Sequence, residues 1–327
     1  MYTADAKAQA ALSFLFSELT YVEQEVLRQP YPEIKYPTIL PVDTSAPEYT
    51  EAIAFKTMDF RGRPQRLGAR SEDIPLVEVA SSKGSVKVET YSQGYDYSIV
   101  EVGKAMELAQ NSRSSAINYL AEKANGARQV TEQFLDEVFI EGDQQSVGGV
   151  DLDTGLINDP NVPTDTTGSF LPGGSDKTID TILGGSDPDV VANELLQLFN
   201  QAVEEVRVNQ TNTTYRPTHI LLPPLQLGKM RTYRIPNTSE TLITYLERVI
   251  NVTFAEIIQL QGAGAGSTDR MMVYTRDPKY VKAHMPMAFQ LQAPATRNNV
   301  VFESAGIVRV AGTELRIPLQ HLYVDNV

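Results

Sequence analysis

Apolar residues recur at three- and four-residue spacing near the start of the chain, where Leu12, Leu15, Phe16, Leu19, Val22 and Leu27 predict one face of an amphipathic helix over 5–28. Pro30 ends it. Five prolines then follow up to Pro47 (Pro30, Pro32, Pro37, Pro41, Pro47). Each fixes φ and biases its predecessor away from helix, which predicts an extended arm. Further on the period becomes two. LVEVA (76–80) and SVKVET (85–90) read as strands joined by a turn at Ser81-Ser82-Lys83-Gly84, and YDYSIVEV continues the alternation with Tyr95, Tyr97 and Ile99. A hairpin of this length, polar at its tip, needs a partner surface.

Helical spacing returns near Lys104 and, past a weak patch at 111–115, runs to Glu141 with Ile117, Leu120, Ala124, Ala127, Phe134, Leu135 and Val138 on one face. From Ser115 onward such a helix spans roughly 40 Å, and Gly142 is a natural terminator. An acidic, glycine-rich loop leads to a second helix, capped by Ser186 or Asp187, with Pro188 in its first turn and Val191, Leu195, Leu198, Ala202 and Val206 inward. THILLP (218–223) is a short buried strand. Brief helices over LQLGKMRTY and TLITYLERVI follow, then strands in VTFAEIIQL, RMMVYTRD, MAFQLQAP, NNVVFESAGIVRVAG and IPLQHLYVDN, with GAGAGS (262–267) as a flexible surface turn. Helices and mixed strands in this order predict an α+β architecture without internal repeats.

At 327 residues, 42% hydrophobic, the chain can bury a substantial core. No run is long and apolar enough for a membrane span. The absence of cysteine excludes disulfides, zinc–thiolate sites and thiol nucleophiles. A net charge of −13 argues against gripping nucleic acid, which requires lysine and arginine. The charge is uneven. Eleven acids face one base, Lys177, between Glu141 and Glu194, whereas Arg61, Arg63, Arg66 and Arg70 occupy a stretch free of acids and suit contacts between subunits.

Asp153-Thr154-Gly155 matches the tripeptide of aspartic proteases. Its approach, GGVDL, is polar, and no second copy supplies the opposing carboxylate, so a surface loop is the better reading. Asp151 and Asp153 lack the twelve-residue pattern of a calcium loop. His219, His284 and His321 show no metal-binding spacing, and His219 reads as a structural residue at the head of a strand. GAGAGS is followed by Thr-Asp-Arg and a strand, not by the Lys-Ser/Thr and helix of a phosphate loop. No catalytic, cofactor or metal site emerges. An arm, a long hairpin and a long helix point instead to assembly.

In this order the pieces resemble the major capsid proteins of tailed bacteriophages with the Hong Kong 97-like fold. The resemblance rests on QFLDEVFIEGD, the GD…GL.N passage in GDQQSVGGVDLDTGLINDP, and the strand and helix THILLPPLQLGKMR. It implies an N-terminal arm (1–60), an E-loop hairpin (61–103), a spine helix opening the peripheral domain (104–150), an axial domain (151–284) and return strands (285–327). It further implies hexamers and pentamers closing an icosahedral shell around double-stranded DNA in the virion, assembled in the host bacterial cytoplasm, with portal and possible cement protein. A separate scaffold protein is expected, because the arm begins close to Met1. Some members crosslink an E-loop lysine to a neighbour's asparagine; Lys83 and Asn298 or Asn299 are the residues available for it, against the plainer reading of a solvated lysine. An encapsulin-like compartment shares the fold and stands as the alternative, and an aspartate-dependent hydrolase as the remote one.

Overall fold

The arm is tied down by its backbone amides. The structure, a computed structural model, describes residues 31–64, 66, 76–111, 119–143, 152, 154–174, 176–235 and 239–327; the expected helix over 5–28, Arg70, Asp151 and Asp153 lie outside them. Pro37 falls in the first turn of a short helix, Tyr36–Ile39, where its missing amide is harmless. Lys35 N and Tyr36 N donate to Asp136 Oδ1 at 2.8 and 2.7 Å, and Tyr36 Oη donates to Glu132 Oε2 at 2.8 Å. Strand β1 (Val42–Asp43) then runs parallel to β10 (Val281–His284), whose other edge carries β15 (Thr313–Leu315).

Two expectations give way next. Residues 52–60 are not extended arm: β2 (Ala52–Arg61) pairs antiparallel with β3 (Glu78–Lys87) along its whole length, from Ala52↔Lys87 to Arg61↔Glu78. Residues 81–84 are not a turn but the middle of β3. Gly84 lies opposite Phe55, whose ring occupies the place a Cβ would take, so the glycine serves a cross-strand aromatic instead of a reversal. Lys83 accordingly stands mid-ribbon, opposite Lys56.

After β4 (Glu89–Ser92) and β5 (Tyr95–Ser98) the alternation predicts more strand, yet helix α1 (Ile99–Asn111) begins. Ser98 and Glu101 form a reciprocal cap, Glu101 N donating to Ser98 Oγ at 3.1 Å and Ser98 N to Glu101 Oε2 at 3.2 Å. The cap overrides the period. Helix α2 (Tyr119–Ile140) has 22 residues, about 33 Å at 1.5 Å each, and Gly142 closes it with φ +88°. The chain then returns to seal that helix end. Leu156 N and Ile157 N donate to the carbonyls of Phe139 and Ile140, Asn158 Nδ2 donates to Glu141 O at 2.6 Å, and Gly155 N donates back to Asn158 Oδ1. Gly155 packs so closely on Ile140 and Glu141 that a Cβ would overlap their backbone. This explains the Gly155-Leu-Ile-Asn158 sequence as a helix cap.

One sheet divides two cores. Its order is β6 (Thr164–Thr166), β16 (Leu322–Asp325), β9 (Arg270–Tyr274), β7 (His219–Leu222) and β8 (Thr253–Glu256). Ile220, Leu222, Met271, Val273, Leu322 and Val324 join a core with α3 (Pro188–Glu204), α4 (Pro224–Thr232) and α5 (Leu242–Leu246). The intervening Leu221, Met272, Tyr274 and Tyr323 face Leu135, Val138 and Phe139 of α2. Burial on both faces is why these strands read as continuous apolar runs. Asp187 caps α3 as expected, accepting from Asp189 N at 3.0 Å, and the five predicted inward residues are buried or, for Val206, just beyond its end. VTFAEIIQL is strand only through Glu256, after which Ile258–Leu260 turns as a 3-10 helix. Two smaller sheets complete the fold: β11 (Met287–Leu291), β14 (Gly306–Val310) and β4; and β12 (Ala295–Thr296), β13 (Val301–Ser304) and β5.

Candidate assembly interface

The β2–β3 ribbon presents two unlike faces. Strand alternation puts Ile53, Phe55, Thr57, Asp59 and Arg61 on one, opposite Val86, Gly84, Ser82, Ala80 and Glu78. On this face Thr57 and Ser82 share a hydrogen bond, and Arg61 Nε pairs with Asp59 Oδ2 at 3.2 Å. On the other face Lys56 opposes Lys83, Met58 opposes Ser81 and Phe60 opposes Val79. Its far end is apolar and uncovered, with Met58 67%, Phe60 72%, Val77 67% and Val79 58% exposed. Of the residues expected to meet a neighbour, Arg61 is exposed on the first face, Arg63 and Arg66 are exposed beyond the end of β2, and Lys83 lies mid-ribbon on the second face.

A line of charges joins the ribbon's root to the arm. The Arg316 guanidinium lies over the Phe55 ring at 5.5 Å, and its Nε is 3.3 Å from Glu314 Oε2. Glu314 Oε2 is 2.6 Å from Nε2 of the buried His284, whose Nδ1 is 3.9 Å from Asp43 Oδ2 on β1. Lys282 Nζ donates to the same Asp43 oxygen at 2.6 Å and holds that carboxyl far below the ordinary range. Arg309 fixes the approach to the ribbon, donating to Glu48 O at 2.6 Å and Thr50 O at 3.0 Å. Sequence reading missed this network because Lys282 and Glu314 become neighbours only once β10 and β15 pair.

The other candidate residues take structural roles. His219 is half-buried, 2.8 Å from the Thr218 hydroxyl through Nδ1, and burial lowers its pKa. His321 is buried with neither ring nitrogen paired. Among the described residues no group of three or more His, Asp or Glu could hold a metal ion, and no helix is long and apolar enough to cross a membrane. GAGAGS is pinned, contrary to the expected flexible turn: Gly262 N donates to Asp269 Oδ1 at 2.9 Å and Ala265 N to Asp325 Oδ2 at 3.0 Å. Asn298 Oδ1 accepts from Val301 N at 2.9 Å, and Asn299 takes φ +59° in the turn between β12 and β13. An open groove of about 420 Å³ runs beside α2, lined by Tyr31, Glu33, Gln133, Glu137, Glu141 and Ile258 among others. Burial, then Glu137 and Asp136, raise the Glu141 pKa there.

A family model described as major capsid protein matches residues 62–327. No curated protein matches the chain in sequence. Among solved structures, the capsid of Myoviridae phage XM1 is similar with a TM-score of 0.77 at 14% identity, covering 95% of this chain and 98% of that one. A chain of Mycobacterium phage Bobi gives 0.61 at 14% identity, covering 96% and 97%. A virus-like particle from Pyrococcus furiosus gives 0.50 at 11% identity, covering 88% and 91%. At these identities the likeness is one of fold, and it agrees with the mixed helix-and-sheet capsid fold expected from the sequence. The family match takes in β3 of the ribbon, α1, α2 and the whole sheet between the two cores, and so the chain belongs to the major capsid protein family, whose members are structural shell subunits and not enzymes.

Proposed function

We propose that this chain forms the icosahedral head of a tailed bacteriophage, assembling as hexamers and pentamers around double-stranded DNA. The observation that carries the reading is the family match over 62–327 together with a fold shared over nearly the full length of the XM1 capsid chain. In this reading the ribbon 52–87 is the E-loop, laid across a neighbouring subunit. α2 is the spine of the peripheral domain, and the five-stranded sheet with α3, α4 and α5 forms the axial domain at the capsomer centre. The acidic balance suits a wall that does not hold its genome. A separate scaffold protein and a portal are the partners, and assembly takes place in the host cytoplasm before the subunit becomes part of the virion. Heterologous contacts that close into rings build the capsomers.

Negative-stain electron microscopy of the purified protein, alone and co-expressed with its genomic neighbours, tests this. Rings or closed angular shells are expected. A uniform monomer or dimer under every condition overturns the reading. Nuclease-protected double-stranded DNA in particles from infected cells separates a phage head from an encapsulin-like compartment, which would enclose protein instead.

A further inference from the structure

The geometry points to the Lys56/Lys83 face of the ribbon as the side that docks, with a carboxylate-bearing surface of a second copy of this chain as its occupant. The inference rests on the capsid reading and adds which face engages and through what chemistry. Two lysines directly opposed on a ribbon repel each other, and among the described residues neither has an acidic partner. The same face continues into Met58, Phe60, Val79 and Val77, all largely exposed, so it offers a basic centre beside an apolar end. On the opposite face Asp59 pairs with Arg61, and at the root Phe55 is covered by Arg316. The Lys56/Lys83 face has no such internal pairing among the described residues. Charge complementarity selects the occupant: acids outnumber bases 41 to 28 in the chain, so another copy presents carboxylates in excess. A carboxylate seated between Lys56 and Lys83 turns their repulsion into two favourable pairs, and an apolar neighbour covers Phe60 and Met58.

The test combines zero-length carbodiimide crosslinking with paired variants. Particles are assembled from a mixture of ¹⁴N- and ¹⁵N-labelled chains, so that links between copies appear as mixed-isotope peptides. Expected are mixed links from Lys56 and Lys83 to aspartate or glutamate of another copy. K56E/K83E should lower the yield of closed particles at least about tenfold, because like charges then face each other across the contact. D59N/E78Q, on the opposite face, should leave the yield unchanged. Unchanged circular dichroism and melting of the variant subunits show that folding is not the cause. The assignment is overturned if K56E/K83E assembles like the parent, if D59N/E78Q is the variant that fails, or if the lysines link only within one copy or to a different co-purifying protein. Failure of the parent chain itself to form particles would instead strike the capsid reading.

Discussion

Replacing His321 with phenylalanine should flatten the acid side of the stability curve. His321 is fully buried, and neither ring nitrogen meets a hydrogen-bonding group of the protein. Burial pushes its pKa down from 6.5 to about 4, because an imidazolium there has no counter-charge to replace its hydration. In the unfolded chain the imidazole titrates normally. The unfolded state therefore binds a proton across a window in which the folded state does not. Stability is fully present above pH 6.5 and is lost as the pH falls toward about 4. That interval, at about 1.4 kcal/mol per pKa unit, corresponds to roughly 3 kcal/mol, a large share of a typical folding free energy. Carboxylates titrate in the same range, so the parent curve alone is not diagnostic; the difference from His321→Phe is. Phenylalanine keeps a planar ring and removes two unpaired polar atoms, a change near neutral or stabilising at neutral pH. Urea unfolding of unassembled subunits, followed by circular dichroism from about pH 7 to about pH 4, should show the variant gaining on the parent by roughly 3 kcal/mol across the window. A difference constant to within about 0.5 kcal/mol would refute the reasoning, since it would mean that the imidazole is protonated as readily inside the fold as outside.

Gly155→Ala should cost about 3 kcal/mol, read by thermal unfolding, because the new Cβ overlaps the backbone of Ile140 and Glu141 and displaces cap hydrogen bonds worth about 1 kcal/mol each. Asp325→Asn should cost about 3 kcal/mol in urea unfolding: Arg270 Nε and Nη2 meet the Asp325 carboxylate at 2.6 and 3.1 Å, and the change removes the counter-charge of a largely buried guanidinium. Limited proteolysis should then cut faster at 262–267, since Ala265 N also donates to Asp325. Thr213→Asn should raise the melting temperature, by the equivalent of about 1 kcal/mol, because Thr213 holds φ +64°, a conformation that asparagine tolerates and a β-branched residue does not.

The elements legible in the sequence are those whose partners lie within the chain. Helix α3 was readable from cap, proline and period together because its whole apolar face is buried against the central sheet. Strand β7 was readable as ILL because both sides of that sheet are covered. Where two local signals compete, the pattern alone does not decide between them. At Ser98 the period-two pattern ran on through Ile99, while the Ser98–Glu101 spacing announced a helix, and the hydrogen-bonded cap prevailed. The charged network from Asp43 to Arg316 left no trace, because its members are brought together by strand pairing between residues far apart in sequence.

The ribbon is illegible for a different physical reason. A strand announces itself when one of its faces is buried, since burial separates apolar from polar positions. Within a single copy β2 is exposed along nearly its whole length, and AIAFKTMDFR mixes Phe55 with Asp59 on one face and Lys56 with Phe60 on the other. Within one copy that pattern has no inside, so nothing in it announces a strand, and Gly84 reads as a turn residue. Read as a surface completed by another subunit, the same residues sort themselves: polar pairs satisfied on one face, and a basic centre beside an uncovered apolar end on the other. On the capsid reading a neighbour finishes the hydrophobic pattern of this ribbon, which is why burial within one copy leaves it illegible.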